Sequence, residues 1–360
     1  MNTIIPARHF CRVGDEIWFL TRNTYALYNY SFSSKKLEYK AFPCEIEIGP
    51  YPYSSVFCYG NRIVCVPAMA KSYLIYDVSN NHFEQIKTPN TERGISFDNV
   101  VQHNNLLYCF PVHCKNPVVI FDMNELCESG SIELQQNIVS DGDEYAPAMS
   151  ILGTKVYGCI LMSNLIYCLN MEDGSISFTE IDGIEPKIES LFKDEKYVYM
   201  YCKDESFIRI REDGTTKDEF VDIGTNERVE FIGKFNDSLF VDAPKSAKKM
   251  LIEDRDDKHH IRIFDESKYV RSKKEEWTYG TIVHDSDLSS AYCIDYYLSG
   301  CSNGLFHYEN KELKYDGFCI DDQVKTDMQR HMMMKMKNGD ISIESNGFGL
   351  SDYLNAIRQY

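Results

Sequence analysis

Short apolar runs, each preceded by a tight polar turn, recur along most of this 360-residue chain. Residues 14–20 return as 60–66, as 104–110 and as 153–159. In every copy a Gly or Asn turn leads into a run of Ile, Val, Leu, Tyr and Phe, which is the pattern of a β-hairpin. Equivalent positions recur about every 46 residues from Ile17 to Ala291, whereas a helical repeat would show a 3.6-residue period. The pattern therefore predicts an all-β repeat fold.

The second unit shows the repeat most clearly. Its predicted strands cover residues 55–59, 63–67, 73–77 and 82–86. Gly60-Asn61 and Ser79-Asn80-Asn81 supply the residue types that tight turns between antiparallel strands need. Four consecutive antiparallel strands in about 46 residues predict one blade of a β-propeller. A ring of such blades also removes the open sheet edges that this many strands would otherwise create.

The pattern leaves two blade numbers open. Seven units fit between residue 8 and about residue 319, with a weaker repeat in the sixth and seventh, and a six-bladed ring with an insertion near residues 244–278 is the alternative. Asn338-Gly339 is the strongest hairpin signal in the chain, and its hairpin either completes a blade or closes the ring. We therefore expect a single propeller domain over residues 1–345. A tail or short capped helix is expected over residues 346–360.

Residues 73–83, together with Gly60-Asn61-Arg62-Ile63, resemble a degenerate kelch-type propeller repeat. That family has a Tyr-Asp pair at the end of the third strand, matched here by Tyr76-Asp77, and an aromatic residue in the fourth, matched by Phe83. The paired glycines that usually end the kelch second strand are missing, and the fourth-strand aromatic is Phe rather than Trp. The resemblance covers most of the chain. It implies a fold and no particular activity.

The net charge of the chain limits the classes of partner that it can bind. A formal net charge of −17, from 38 basic and 55 acidic residues, repels nucleic acid and anionic membrane surfaces over most of the protein. The exception that the sequence suggests is a local basic patch around Lys245, Lys248 and Lys249. No segment approaches the ~18 apolar residues of a membrane helix, and the N-terminus has no apolar signal core. The sequence therefore predicts a cytoplasmic protein that binds neither nucleic acid nor membrane.

The number and spacing of the cysteines are also typical of a cytoplasmic protein. There are 13 of them, an odd number, and no CxxC pair occurs, which excludes zinc-ribbon and thioredoxin-like sites. Many lie inside apolar runs, as Cys65 does in the run 63–66. We expect them to be small reduced core residues, because free cysteine is among the most buried residue types.

Motifs that carry catalytic chemistry are not evident. His259-His260 lies near acidic residues, but adjacent histidines on a strand point to opposite faces, so a solvated insertion is favoured over a metal site. Asp141-Gly142-Asp143-Glu144 lacks the ligand spacing of a calcium loop and is interpreted as an acidic turn. Phosphate loops, nucleotide fingerprints and nucleophile elbows are absent from the sequence. The sequence predicts no cofactor and no metal, and favours a non-enzyme while leaving catalysis open.

The repeat also assigns loops to faces. In propellers the loops between second and third strands share one face with the loops between blades, around the mouth of the central channel, and this face is the usual binding surface. Residues on these loops form the predicted ligand-binding set: Arg22, Asn23, Lys71, His113, Lys115, Asn116, Asn164, Lys203, Tyr53 and Tyr145. Lys and Arg match carboxylates, amides match hydroxyls, and Tyr rings stack on sugars or peptides.

Two functions fit this set. The first is a non-enzymatic scaffold that presents the loop face to a protein or peptide partner, and it rests on degenerate repeats without a catalytic motif. The alternative is a propeller that binds or processes a carbohydrate or another small polar anionic ligand at the channel mouth, as a glycan-related enzyme would. That alternative rests on the basic and amide loop residues and on the tyrosines at the blade joints.

Overall fold

The structure is a computed structural model, and part of the chain is described in it. The described residues are 7–21, 26–43, 52–133, 142–146, 149–181, 188–202, 207–211, 217–220, 231–235, 238–243, 248–255, 258–265, 280–283, 296–301, 304–309, 312–317, 321–324, 326–327 and 330–331. Arg22, Asn23, Lys203, the predicted hairpin around Asn338-Gly339 and the predicted tail at 346–360 lie outside the described residues.

The described chain is almost entirely β-structure. Seven four-stranded sheets are found in this part of the chain, and each is made of four consecutive strands. The strands of sheets 1 to 4 are β1 (Ala7–Val13), β2 (Glu16–Thr21), β3 (Ala26–Ser31), β4 (Leu37–Ala41), β5 (Tyr53–Tyr59), β6 (Arg62–Pro67), β7 (Tyr73–Asp77), β8 (His82–Ile86), β9 (Phe97–His103), β10 (Leu106–Pro111), β11 (Val118–Asp122), β12 (Cys127–Ile132), β13 (Ser150–Leu152), β14 (Lys155–Cys159), β15 (Leu165–Asn170) and β16 (Ile176–Glu180).

The later sheets follow the same order. The strands of sheets 5 to 7 are β17 (Ile188–Lys193), β18 (Tyr197–Cys202), β19 (Phe207–Arg211), β20 (Lys217–Phe220), β21 (Phe231–Phe235), β22 (Ser238–Ala243), β23 (Lys248–Arg255), β24 (Lys258–Asp265), β25 (Gly280–Val283), β26 (Tyr296–Cys301), β27 (Gly304–Glu309) and β28 (Glu312–Gly317). A short helix, α1 (Pro89–Glu92), follows β8 and is capped by Thr88. Residues 322–324, 326–327 and 330–331 are also helical.

Two compact units make up the chain. Unit 1 comprises Met1–Ser96 and Leu298–Tyr360, and unit 2 comprises Phe97–Tyr297. Sheets 1 and 2 belong to unit 1, and sheets 3 to 6 belong to unit 2. The single domain over residues 1–345 and the number of blades stay predictions.

The turns that the sequence singles out connect the strands as predicted. Gly60 has a φ of +57° and Asn104 a φ of +55°, which is the left-handed region that glycine and asparagine enter most easily. The register of each hairpin follows from its turn, so that Tyr59 lies opposite Arg62 and His103 lies opposite Leu106. Each sheet is therefore a meander built by local turn chemistry.

Apolar side chains from neighbouring sheets form the cores. In unit 1 the Trp18 ring of sheet 1 lies 5.4 Å from the Tyr76 ring of sheet 2, within one buried cluster. In unit 2 a second cluster joins Phe110 of sheet 3 to Tyr167 of sheet 4 and to Tyr145, which lies in the segment before sheet 4. Each fully buried aliphatic or aromatic side chain contributes about 1.5–3 kcal/mol, so these contacts between sheets are a main source of stability.

Two expectations from the sequence are corrected. His259 and His260 lie in β24, which pairs with β23 in sheet 6, so the interpretation of these residues as an insertion is wrong. Cys11 and Cys58 form a disulfide, so not all cysteines are reduced, although seven other described cysteines are thiols. The pairing connects residues of neighbouring sheets, which a one-dimensional pattern does not reveal. None of the helices in the described ranges is long and apolar enough to cross a membrane.

Candidate functional site

The loops at one end of sheets 3, 4 and 5 meet in unit 2. We call residues 112–116, 142–146 and 160–164, together with Ile188, the unit 2 rim. The loop between β10 and β11 forms an antiparallel bridge from His113 to Glu144, just ahead of sheet 4. The loop between β14 and β15 forms an equivalent bridge from Ser163 to Ile188, at the start of sheet 5. Each loop therefore pairs with the sheet that follows it along the chain.

Short backbone hydrogen bonds hold this arrangement. The Cys114 amide donates to the Asp143 carbonyl at 2.8 Å, and the Met162 amide donates to the Ile188 carbonyl at 3.0 Å. The Ile188 amide returns a bond of 3.0 Å to the Ser163 carbonyl. Backbone bonds of this length fix the path of a loop without help from its side chains. The exposed side chains of the rim are consequently presented on a defined backbone.

Buried side chains support the rim from below. Cys114 is 1% exposed and Tyr145 is 5% exposed. The Tyr145 ring makes edge contacts, each with centroids 5.3 Å apart, with Phe110 and with Tyr167. The Tyr167 phenol lies directly over Gly158, where any side chain would overlap it. The anchors of two rim segments thus share a single aromatic cluster.

The same burial removes chemical reactivity from these anchors. Burial raises the pKa of the Cys114 thiol to about 12, helped by the nearby Asp143 and Glu144 carboxylates. Burial also raises the pKa of the Tyr145 hydroxyl and that of the Tyr167 hydroxyl above their ordinary values. A thiol held in its neutral form is a poor nucleophile. These groups serve packing rather than acid, base or nucleophilic chemistry.

The outward side chains of the rim are mixed in character. The His113 Nδ1 and Glu144 Oε1 atoms lie 3.7 Å apart, with side chains 47% and 43% exposed. Lys115 is exposed beside them. Met162 is 39% exposed and has a φ of +61°, in the left-handed region. The rim therefore presents a lysine, a histidine beside a glutamate and an exposed methionine.

The predicted binding residues of unit 2 lie in two rim loops and at one buried position beneath them. His113, Lys115 and Asn116 come together in one rim loop, and Asn164 lies in the next, where its amide donates to the Glu180 carboxylate at 2.7 Å. Tyr145 is in the same rim but buried. Within the described chain, unit 2 thus gathers five of the predicted residues.

The predicted residues of unit 1 form a similar loop. Between β6 and β7, Met69 is 54% exposed, Ala70 is 3% exposed and Lys71 is exposed. This is the same alternation as in His113, Cys114 and Lys115. Tyr53 is buried, with its ring 5.4 Å from that of Phe42. The two predicted tyrosines therefore act as supports, and their rings do not face solvent.

Two rim residues were missed by the sequence reasoning. Glu144 was interpreted only as part of an acidic turn, and Met162 was not considered. Glu144 becomes part of the rim through its bridge to His113, and Met162 through its hydrogen bond to Ile188. Both partners lie in a neighbouring sheet, so the sequence carries no local signal for them. In the described residues no group of three or more His, Cys, Asp or Glu side chains is placed to hold a metal ion.

Comparison with known proteins shows the fold. No family model matches the chain, and no curated protein matches it. Virginiamycin B lyase from Staphylococcus aureus is similar with a TM-score of 0.58 at 10% identity, over 84% of this chain and 91% of that one. PorZ, a surface component of the type-IX secretion system of Porphyromonas gingivalis, is similar with a TM-score of 0.56 at 11% identity, over 88% of this chain and 39% of that one.

A third similar structure is a chain of the mitotic checkpoint complex. Its TM-score is 0.55 at 10% identity, over 89% of this chain and 93% of that chain. The three similar structures are β-propellers with different roles. Together with the four-stranded meanders they show that this chain has an all-β propeller fold. At such low identity they show the fold alone.

Proposed function

We propose that this protein is a non-enzymatic binding propeller whose unit 2 rim holds a protein or peptide partner. One observation carries the proposal: the exposed side chains of His113, Lys115, Glu144 and Met162 stand on a backbone that is fixed by bridges to the next sheet. A loop that is already ordered costs less entropy when it binds, so more of the contact energy appears as affinity. A rigid surface of this kind suits recognition of another chain.

The chemistry of the rim also favours a polypeptide. Methionine is enriched at protein interfaces, where its flexible thioether fits varied apolar side chains. Lys115 and Glu144 provide charges of both signs, which select the orientation and the identity of the partner. An extended peptide that places an apolar side chain on Met162 and an acidic one near Lys115 would use all of these features.

The alternative of a carbohydrate or small anionic ligand has less support. It relied on tyrosine rings that stack on sugars, and the rings of Tyr53 and Tyr145 are buried. What still supports it is that Lys71 and Lys115 are exposed, since lysine binds anions. Two finer points belong to the same proposal: a kelch-type repeat, supported by Tyr76-Asp77 and Phe83, and a cytoplasmic location, supported by the seven described thiols.

The test is selection of ligands on the intact chain. A phage-displayed random peptide library is panned on the immobilised protein, and a recovered peptide is resynthesised for fluorescence anisotropy. We expect Met162→Asp and Lys115→Glu each to raise the Kd about tenfold or more. Aspartate tolerates the left-handed backbone of residue 162, so the fold is spared. Lys155→Glu is the matched control, because it makes the same charge change at the other end of sheet 4.

Two results would contradict the proposal. Peptides that bind all three variants equally would move the binding surface away from the unit 2 rim. A library that yields no peptide, while a panel of sugars and sugar acids raises the melting temperature of the wild-type chain but not of Lys115→Glu, would favour the alternative ligand class.

A further inference from the structure

We propose that the Cys11–Cys58 disulfide is a reversible modification site that responds to the thiol redox state and tightens the joint between sheets 1 and 2. Cys11 lies in β1 and Cys58 in β5, so the bond connects the first strands of two neighbouring sheets in unit 1. Their Cα atoms are 6.0 Å apart, which lies within the range that disulfides adopt without backbone movement.

Cys11 is bonded to Cys58 and not to Cys65, the other cysteine of the same buried cluster. Cys65 belongs to the same buried cluster as Cys11 but is a thiol with no exposed surface. Burial raises the pKa of Cys65 far above its ordinary value, which keeps it protonated and unreactive in exchange. Cys58 is only partly buried, at the edge of the cluster. Cys58 is thus the more exposed of the two bonded cysteines, so its sulfur is the proposed point of attack for an external thiol, whereas Cys65 is fully buried.

The rest of the described chain indicates that the bond is reversible. Seven other described cysteines are thiols, and Cys127 among them is exposed. A purely structural disulfide is typical of proteins built for an oxidising compartment, whereas a single bond among many thiols is typical of redox sensing. The difference in exposure between Cys58 and Cys65 provides the selectivity that such a sensor needs.

The chemistry is thiol–disulfide exchange with a dithiol or with glutathione. A thiolate attacks Cys58 Sγ, the Cys11–Cys58 bond breaks, and a mixed disulfide forms. A second thiolate attacks the mixed disulfide, so the external reductant ends as its own disulfide. Cys11 and Cys58 each gain one proton and end as thiols. The reverse sequence, with oxidised glutathione as oxidant, restores the bond.

Reduction should loosen the joint without unfolding the sheets. The disulfide closes a sequence separation of 47 residues, and such a cross-link restricts the opened chain more than the folded one. After reduction the Trp18–Tyr76 contact still joins the two sheets. The strands β1 and β5 should then open locally more often, as elements of low local stability do.

The experiment uses the full chain in glutathione buffers of graded redox poise. Differential alkylation with mass spectrometry measures the oxidised fraction of each cysteine, and hydrogen exchange follows the amides of β1 and β5. We expect Cys11 and Cys58 to change together while Cys65 stays a thiol, and exchange in β1 and β5 to become about tenfold faster on reduction. Cys58→Ser should show the fast exchange in both buffers. Cys127→Ser is the control that keeps the full redox response.

Three results would overturn the proposal. The first is alkylation of Cys11 and Cys58 in full, even in oxidised glutathione, because the bond would then not form. The second is a bond that survives excess dithiothreitol in the folded protein. The third is reduction that leaves exchange in β1 and β5 unchanged. If Cys58→Ser fails to fold, the comparison of oxidised with reduced wild-type chain still decides among these outcomes.

Discussion

Sheets 1 and 2 in unit 1 and sheets 3 and 4 in unit 2 share one blade pattern but are joined by different chemistry. The first pair has a covalent bond between Cys11 and Cys58. The second pair has hydrogen bonds, among them that from the Tyr108 hydroxyl to the Met171 carbonyl at 2.7 Å. The rim bridge of His113 to Glu144 belongs to this second joint. A repeat therefore specifies each sheet, while the joint between sheets is left to individual side chains.

The difference has a physical consequence. A disulfide between sheets acts mainly on the unfolded chain, so its contribution depends on redox state and little on the fit of the neighbouring side chains. Hydrogen bonds and aromatic packing act on the folded chain, so the second joint depends on atomic fit. The unit 2 rim stands on the second kind of joint, and its geometry should respond to small changes beneath it.

The largest effect is expected at the covalent joint. Cys58→Ser should lower the free energy of unfolding by about 2–4 kcal/mol under oxidising conditions, because the unfolded chain is no longer cross-linked. Urea unfolding monitored by tryptophan fluorescence measures this, since Trp18 lies in the joint. With reductant present the variant and the wild-type chain should become nearly equal. An equal loss in both buffers would show that Cys58 acts through packing alone.

A smaller effect is expected at the aromatic cluster beneath the rim. Gly158→Ala should lower the free energy of unfolding by about 1–3 kcal/mol, because the added methyl group overlaps the Tyr167 phenol and forces the ring to move. The same substitution at Gly130, where the nearest atom to an added Cβ is Ile120 Cδ1 at 3.7 Å, is the matched control. Denaturant unfolding of both variants is the measurement. An equal loss in the free energy of unfolding at the two positions would mean that the Tyr167 ring moves aside without a loss of stability.

The smallest effect is expected at a single hydrogen bond. Tyr108→Phe should lower the free energy of unfolding by about 1 kcal/mol, since it leaves the Met171 carbonyl without this donor. Tyr167→Phe is the comparison, because the Tyr167 hydroxyl is buried with no hydrogen-bond partner among the described residues. That variant should be neutral or slightly stabilising. Thermal unfolding of the two variants side by side checks the contrast, and a larger loss for Tyr167→Phe would contradict it.

The blades were predictable from the sequence because their signals are local. The third and fourth strands of the second unit were predicted residue for residue as Tyr73–Asp77 and His82–Ile86. Alternating apolar residues and turn residues a few positions apart carry all of that information. The signal weakened after residue 244, so β24 was mistaken for an insertion, because its charged residues hide the strand pattern.

The site was predictable only in part, for the opposite reason. His113, Lys115 and Asn164 were expected on the rim because strand register assigns loops to ends of a sheet. The roles of Glu144 and Met162 arise from pairing with another sheet, and so does the disulfide of Cys11 with Cys58. Such pairings join residues far apart in sequence, and no periodicity within one unit records them.

The rim bridges also bear on where the chain can change length. The loop before β15 is held at both of its sides, by Tyr145 through Ile160 and by Ile188 through Ser163. An added residue there would displace two sheets together. The turn at Gly153-Thr154, at the other end of sheet 4, connects β13 to β14, and its hydrogen bonds from Met171 and to Asn170 stay at the end of β15 in the same sheet. Over evolution, insertions and deletions should therefore accumulate at the Gly153 end of this sheet, while the rim keeps its length.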